Sequence, residues 1–259
     1  MPRKAVVSPI RKHEKYEHLI AATQALVPLT TAVAHPCDET SLRGAIDAAE
    51  AGMIVPLLVG PEQKISGVEL IDTPHSHAAA ERAVELVREG KAELLMKGSL
   101  HSDELLAAVT NREKGLRTGR RISHVFVMDV PTHAQTLFIT DAAVNITPDL
   151  MAKRDIIQNA IDLFVALGMG SPKVAILSAV ETVNPSLPST IDAAALCKMA
   201  DRGQITGGEL DGPLAFDNAI SLEAARIKGI KSAVAGQAQI LVVPDLEAGN
   251  MLAKNLTFL

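Results

Sequence analysis

Leu241-Val242-Val243-Pro244-Asp245-Leu246-Glu247-Ala248-Gly249-Asn250 is the stretch that decides the fold. With Ile240 it begins as a continuous apolar run, the pattern of a strand buried on both faces of a parallel sheet. Pro244 stops the run, because proline cannot donate to a ladder. Asp245 and Glu247 then occupy the first turn of a helix, where acidic side chains suit the dipole. Strand, abrupt stop and helix form the repeating unit of α/β proteins, whose ligands sit at the carboxyl ends of parallel strands. Gly249 and Asn250 are small, lie near that helix start, and are expected to let a ligand come close. Asp211-Gly212-Pro213-Leu214-Ala215-Phe216-Asp217-Asn218 repeats the form, with the end of an apolar run meeting an Asp/Gly/Pro break.

Outward from there the same alternation fills the chain. Upstream of residue 145 the pattern predicts strands at Thr30–Ala34, Ile54–Val59, Val68–Asp72, Ala92–Met96, Val125–Met128 and Thr136–Thr140. Helices are predicted over Lys12–Ala25, from Asp38 to Glu50, over His77–Arg88 and over Asp103–Arg112, the last capped by Ser102. Asn145-Ile146-Thr147-Pro148-Asp149 breaks the pattern, and the domain boundary is expected there, giving lobes of residues 1–144 and 145–259. In the second lobe a long helix, Leu150–Leu167, leads to a strand, Lys173–Leu177, and a Pro/Asn-rich loop, Ser178–Pro188. Ser189 is expected to cap a helix over Thr190–Ala200, with Asp192 as the capping-box acid. A further helix spans Ser221–Lys228, and the chain ends on a helical pattern at Ala253–Leu259. The fold class that follows is α/β, two-lobed, with mostly parallel sheets flanked by helices.

Composition excludes several functions. The 259 residues are 47% apolar and 21% charged, with a net charge of -5, which leaves no electrostatic footprint for nucleic acid. With no Trp and one Tyr, platforms for stacking bases are missing too. No apolar run approaches a membrane span, and the basic N-terminus lacks the apolar region of a secretory signal. Cys37 and Cys197, far apart in sequence, suggest no disulfide framework, so a cytoplasmic protein is expected.

Motifs for nucleotides and metals fall away on inspection. No strand leads into G-x-G-x-x-G, and Glu209 stands where the spacing of Gly203 and Gly208 would need a lysine. His75 and His77 read as surface histidines near a helix start, with no partner motif for a metal site. Cys37, beside His35 at a strand end, reads as a small or idle loop thiol, with an acyl-enzyme thiol as the rival reading. What remains is a set of strand-end loops beginning at Cys37, Gly98, Asn145, Ser178, Asp211 and Pro244, several leading into helix N-termini, which favour anions. Gly98 and Ser99, with Lys97 nearby, form one candidate anion site, although Asp103 and Glu104 oppose it. Asp217, Asp211, Asp245 and Asn250 have a plainer reading as turn or helix-start residues. The basic run Arg117, Arg120, Arg121 reads as a solvated face, or as a contact for the ribose phosphate of a coenzyme.

GPLAFDNAIS, VPDLEAGN, ILSAVETVNPSLPSTIDAAAL and MKGSLHSDELLAAVTNREKGLRTGRRISHVF resemble motifs of the phosphate acetyltransferase and phosphate butyryltransferase family. The resemblance covers nearly the whole chain and is nearest to the short forms, including those fused to enoyl-CoA hydratase. It implies an isocitrate/isopropylmalate dehydrogenase-like architecture, a homodimer, and transfer of a short acyl group, acetyl or butyryl, from acyl-CoA to inorganic phosphate. Coenzyme A would be substrate and product, with no permanently bound cofactor and no metal. On the matching positions, Asp217 and Asn218 are the catalytic candidates. Lys97, Gly98, Ser99, Asn145, Ser178, Asn184, Ser189, Thr190, Gly212, Pro213, Pro244, Asp245, Gly249 and Asn250 are the substrate-binding candidates. Family members continue past the position of Leu259 with a Ser-Arg pair and an Asp implicated in catalysis. The expectation is therefore that the first lobe lacks its C-terminal part, with an inactive CoA- or acyl-phosphate-binding protein as the alternative. A decarboxylating NAD-dependent dehydrogenase of the same architecture ranks lower, because its metal needs clustered Asp residues and the acids here are isolated.

Overall fold

A computed structural model describes residues 13–63 and 70–258. Residues 17–119 make one compact unit, and the chain up to residue 16 together with residues 120–259 makes the other.

The first unit follows the end of helix α1 (Glu14–Thr23) with β1 (Leu29–Ala34), α2 (Glu39–Glu50), β2 (Ile54–Gly60), β3 (Leu70–Asp72), α3 (Ser76–Arg88), β4 (Leu94–Lys97) and α4 (Ser102–Thr110). Its four strands are all parallel, in the order β3-β2-β1-β4. Residues 68–69 of the third predicted strand lie outside the described residues. Within β2, Pro56 pairs with Thr31 of β1, and among the described residues β3 pairs with Leu58–Gly60. The core under this sheet is built from small side chains, including Ala32, Ala34, Ala79, Ala80 and Ala83, with Val59 and Leu86.

The second unit continues with β5 (Val125–Met128), β6 (Leu137–Thr140), α5 (Leu150–Ala166), β7 (Lys173–Leu177), α6 (Pro188–Asp201), β8 (Glu209–Leu214), α7 (Phe216–Ile220), α8 (Leu222–Ile227), β9 (Ile240–Val242) and α9 (Leu246–Phe258). The strands are ordered β5-β6-β9-β7-β8, parallel except for the antiparallel pair β5–β6. Ile240 therefore lies between Phe138 of β6 and Val174 of β7, at the centre of the sheet. Both faces are covered, which is why the strands read as unbroken apolar runs. Leu137, Ile139, Ala175, Leu177 and Leu241 face the side packed by Ala219, Ala225 and Ala253. Phe138, Val174, Ile176, Ile240 and Val242 face the side packed by Ile157, Phe164, Ala193 and Leu196. Each fully buried Val, Leu, Ile or Phe among them contributes roughly 1.5–3 kcal/mol.

Several expectations need correction. The predicted boundary at residues 144/145 differs from the observed division, because β5 and β6 pair into the second sheet and the chain divides near Arg120. The Asp211-Gly212-Pro213 break is no break, since β8 runs through it to Leu214. Ser189 does not cap α6. That helix starts with Pro188 after Leu187, while Asp192 pairs with the buried Lys153 at 2.7 Å instead of closing a capping box. Ser102 is the first residue of α4, whose cap position is His101.

Candidate functional site

Four adjacent parallel strands, β6, β9, β7 and β8, end on the same edge of the second sheet. Their carboxyl-terminal loops, which hold most of the predicted site residues, are gathered there by topology. Asn145, Ser178, Asn184, Ser189, Thr190, Asp217, Asn218, Pro244, Asp245 and Asn250 all lie on these loops or on the helices that follow.

Beyond β6 the buried carboxylate of Asp141 organises the loop. Its Oδ1 accepts from the amides of Ala143 and Val144, both at 3.0 Å, and its Oδ2 from Asn145 Nδ2 at 2.5 Å. Asn145 in turn accepts from Arg121 Nε at 2.6 Å and donates to the Ile122 carbonyl at 3.0 Å. Asn145 is thus a buried structural link, with both polar atoms of its side chain used. Arg120 pairs with Asp162 at 2.5 Å, so two arginines of the predicted solvated run are tied into the fold of this unit.

Past β9, Asp245 Oδ1 accepts from the Ala248 amide at 2.9 Å and caps α9. Asn250 Nδ2 donates to the Ala142 carbonyl at 3.2 Å, joining this loop to the one after β6. At Gly249 a Cβ would meet Val243 Cγ2 at 2.7 Å and Ala142 Cβ at 2.9 Å, so packing alone requires a glycine there. Gly212 is likewise a packing glycine, since its Cβ would lie 2.8 Å from Ile176 Cβ and 3.2 Å from Ala193 Cβ, and Pro213 beside it is buried in β8.

After β7, Ser178 Oγ and Ser189 Oγ share a hydrogen bond of 2.8 Å. Thr190 is fully buried, and its hydroxyl accepts from the Asn184 amide at 2.9 Å while facing the carbonyls of Asn184 and Leu187. It holds the loop, and cannot meet a ligand as the loop stands. Asn184 Oδ1 accepts from the Ser186 amide at 2.9 Å, an Asx turn.

Next to β8 stand Asp217 and Asn218. Asp217 is exposed, and the cap position of α7 is Ala215, so Asp217 is not the residue that caps this helix. Asn218 is fully buried, and among the described residues neither Oδ1 nor Nδ2 has a hydrogen-bond partner of ordinary geometry. Buried amides are nearly always satisfied. Close to it stands Glu181, on the loop after β7, which pairs with Lys228 at 2.9 Å. That hydrogen bond to Lys228, with a lesser part from Asn218, holds the Glu181 carboxyl below the usual carboxylate range. Sequence reading missed Glu181 and Lys228, which only the tertiary fold brings together beside Asn218, and Asp141, whose role four residues before Asn145 no local pattern marked.

Within the first unit, Lys97, Gly98 and Ser99 follow β4. Gly98 is required there: a Cβ would lie 2.5 Å from the Ala34 carbonyl and 2.6 Å from that of His35. Lys97 Nζ donates to the Gly98 carbonyl at 3.2 Å. Ser99 Oγ donates to the His35 carbonyl at 2.8 Å and accepts from the Cys37 amide at 3.1 Å. These bonds brace the junction of the loops after β1 and β4. His75 also has a structural role, capping α3 by accepting from the Ala78 amide at 3.2 Å. Among the described residues no group of three or more His, Cys, Asp or Glu gathers as metal ligands. Nor, among them, is any helix long and apolar enough to cross a membrane.

Comparison with known proteins gives this geometry its context. The family described as “Phosphate acetyl/butaryl transferase” matches residues 69–259. A phosphate acetyltransferase of Rhizobium meliloti is 71% identical, over 95% of this chain and 81% of that protein. A phosphate butyryltransferase of Clostridium acetobutylicum is 41% identical, over 95% of this chain and 85% of its own length. A solved branched-chain phosphotransacylase from Enterococcus faecalis V583 superposes with a TM-score of 0.79 at 30% identity, covering 88% of this chain and 84% of that one. The chain belongs to the phosphate acetyl/butyryl transferase family.

Proposed function

We propose that this chain transfers a short acyl group from acyl-CoA to inorganic phosphate, giving acyl phosphate and CoA. Acetyl-CoA is the first substrate to test, since the 71% identical relative bears the name phosphate acetyltransferase. Butyryl-CoA is the second, because one methylene changes discrimination by only ~1–3 kcal/mol in an apolar pocket. One observation in the structure supports this reading above the others: the exposed Asp217 carboxylate next to the buried Asn218 amide, on a sheet edge where four strand-end loops converge.

In this reading phosphate attacks the thioester carbonyl directly. Asp217 accepts a proton from the attacking phosphate, and the Ser178–Ser189 hydroxyl pair orients one of the anions. The protein's work is positioning and stabilisation of the tetrahedral oxyanion and the leaving thiolate. We read the two units as the lobes of an isocitrate/isopropylmalate dehydrogenase-like architecture, and the protein as a cytoplasmic homodimer with no nucleic-acid or membrane partner. Light scattering on the purified chain tests the dimer. The activity is tested by following CoA release from acetyl-, propionyl- and butyryl-CoA with and without phosphate, trapping the acyl phosphate with hydroxylamine. Phosphate-dependent release with at least one of them is expected. A folded sample that releases no CoA from any of them would remove the reading.

A further inference from the structure

An ion pair ties the loop after β7 to the end of α8, at the sheet edge that carries Asp217 and Asn218. Lys228 Nζ donates to Glu181 Oε1 at 2.9 Å. The lysine side chain is 46% exposed and the glutamate 22%, so the ammonium is the freer partner. Its hydrogen bond to Glu181 and that carboxylate's charge, with a lesser part from Asp217, hold Lys228 above the usual lysine range. Lys228 is thus a firmly charged ammonium that feels two carboxylates, one of them the exposed Asp217. A helix end favours a cation, and that alone accounts for a lysine after α8. It does not account for the state of Asn218.

Asn218 is fully buried, yet among the described residues neither polar atom of its side chain has a hydrogen bond of ordinary geometry. Its backbone is anchored, since its carbonyl accepts from the Gly236 amide at 2.8 Å. The side-chain amide lies near Glu181 and helps to lower that carboxyl. A buried amide is rarely left in this state, because the hydrogen bonds it gave up to water are not replaced. Glu181 therefore has two donors beside it: the Lys228 ammonium, which it holds well, and the Asn218 amide, which it holds poorly. A carboxylate with a second donor beside it can release the first without being stranded.

We propose that Lys228 is the cation that binds inorganic phosphate at this site, held by Glu181 and handed to the phosphate as Glu181 turns to Asn218. The proposal rests on the reading of this chain as transferring an acyl group to phosphate, and it adds the side chain that holds the nucleophile. Phosphate is an anion, and the carboxylates of Asp217 and Glu181 repel it. An ammonium that acts on both offsets the repulsion and brings a phosphate oxygen towards the Asp217 carboxylate that takes its proton. No covalent bond changes in the exchange. A Lys228 N–H trades a carboxylate oxygen for a phosphate oxygen, and an Asn218 Nδ2–H donates to Glu181. Lysine suits this role, as a compact charge with rotatable donors on a flexible stem.

The test is steady-state CoA release by the full chain, with phosphate and acetyl-CoA varied separately. Lys228→Ala should raise the KM for phosphate by roughly 10- to 100-fold while the KM for acetyl-CoA holds. Lys228→Arg should keep most of the phosphate affinity. Glu181→Gln should act in the opposite direction and lower the phosphate KM, because the competing carboxylate charge is gone. A pair with only a structural role predicts the same loss from Lys228→Ala and Glu181→Gln, since both break it, and that outcome overturns the proposal. So does an unchanged phosphate KM in Lys228→Ala, or a rise confined to acetyl-CoA, which would put Lys228 on a phosphate of CoA. Should Lys228→Ala fold poorly, Glu181→Gln decides alone, and a phosphate KM that does not fall overturns the proposal. If the unchanged protein releases no CoA at all, the acyl-transfer reading falls, and melting curves with inorganic phosphate decide for Lys228 without turnover. Phosphate should then raise the melting temperature of the unchanged protein but not that of Lys228→Ala. No rise in the former, or equal rises in both, overturns the assignment.

Discussion

At the scale of single residues, two neighbours in sequence have opposite environments. Asp217 is exposed, while Asn218 is fully buried. Asp217→Ala should therefore lower phosphate-dependent CoA release strongly while shifting stability by no more than ~0.5 kcal/mol, because it removes no cap and opens no cavity. Paired melting curves and turnover assays check this, and full activity would take Asp217 out of the site. Gly249→Ala should do the reverse. The added methyl collides with Val243 and Ala142, and overpacking of this kind costs ~1–3 kcal/mol. Denaturant titration should show that loss, with turnover per folded molecule retained. Cys197 makes a pH prediction. Its raised folded-state value means that above pH 9.0 the unfolded chain gives up the thiol proton while the native chain keeps it, so stability falls as pH rises through that region. Melting temperatures of Cys197→Ala should decline less steeply above that pH than those of the unchanged protein. Parallel curves would show that Cys197 carries no part of the decline.

At the scale of elements, the contact between α5 and α6 has a polar centre. Lys153, on the first turns of α5, is buried, and its ammonium meets Asp192 of α6 at 2.7 Å. Asp192→Ala leaves that charge uncompensated, and breaking a buried pair in this way costs ~3–5 kcal/mol. Replacing both partners with apolar residues should recover most of the loss, which thermal melts of the single and double variants would reveal. If Asp192→Ala melts with the unchanged protein, the pair contributes nothing. The helix starts show how local rules hold and fail. Asp38 caps α2 as its sequence position suggests, and Asp149 and Asp245 cap α5 and α9. Ser189, equally suited on sequence grounds, instead bonds Ser178, because the loop after β7 brings that hydroxyl within reach.

At the scale of the whole molecule, each unit has its own sheet and its own cores. Calorimetry should therefore depart from a single two-state transition, with a calorimetric enthalpy larger than the van't Hoff value. Equality of the two would mean that the units unfold as one.

Periodicity and punctuation in the sequence determined the α/β class, the strand at Ile240–Val242 and most of the helices. These are set by burial on two faces and by local capping, which a linear pattern records. The motif loops were legible too, and topology does bring those of the second unit to one sheet edge. Tertiary structure alone decided where the chain divides, because strand pairing between β5, β6 and β9 joins segments far apart in sequence. It also decided what each motif residue does. Gly249 and Gly212 meet neighbouring side chains, Asn145 and Thr190 spend their polar atoms inside the fold, and Glu181 reaches Asn218 and Lys228. A side chain's role depends on what lies within a few ångströms of it, and that is fixed by packing between segments that no local sequence pattern specifies.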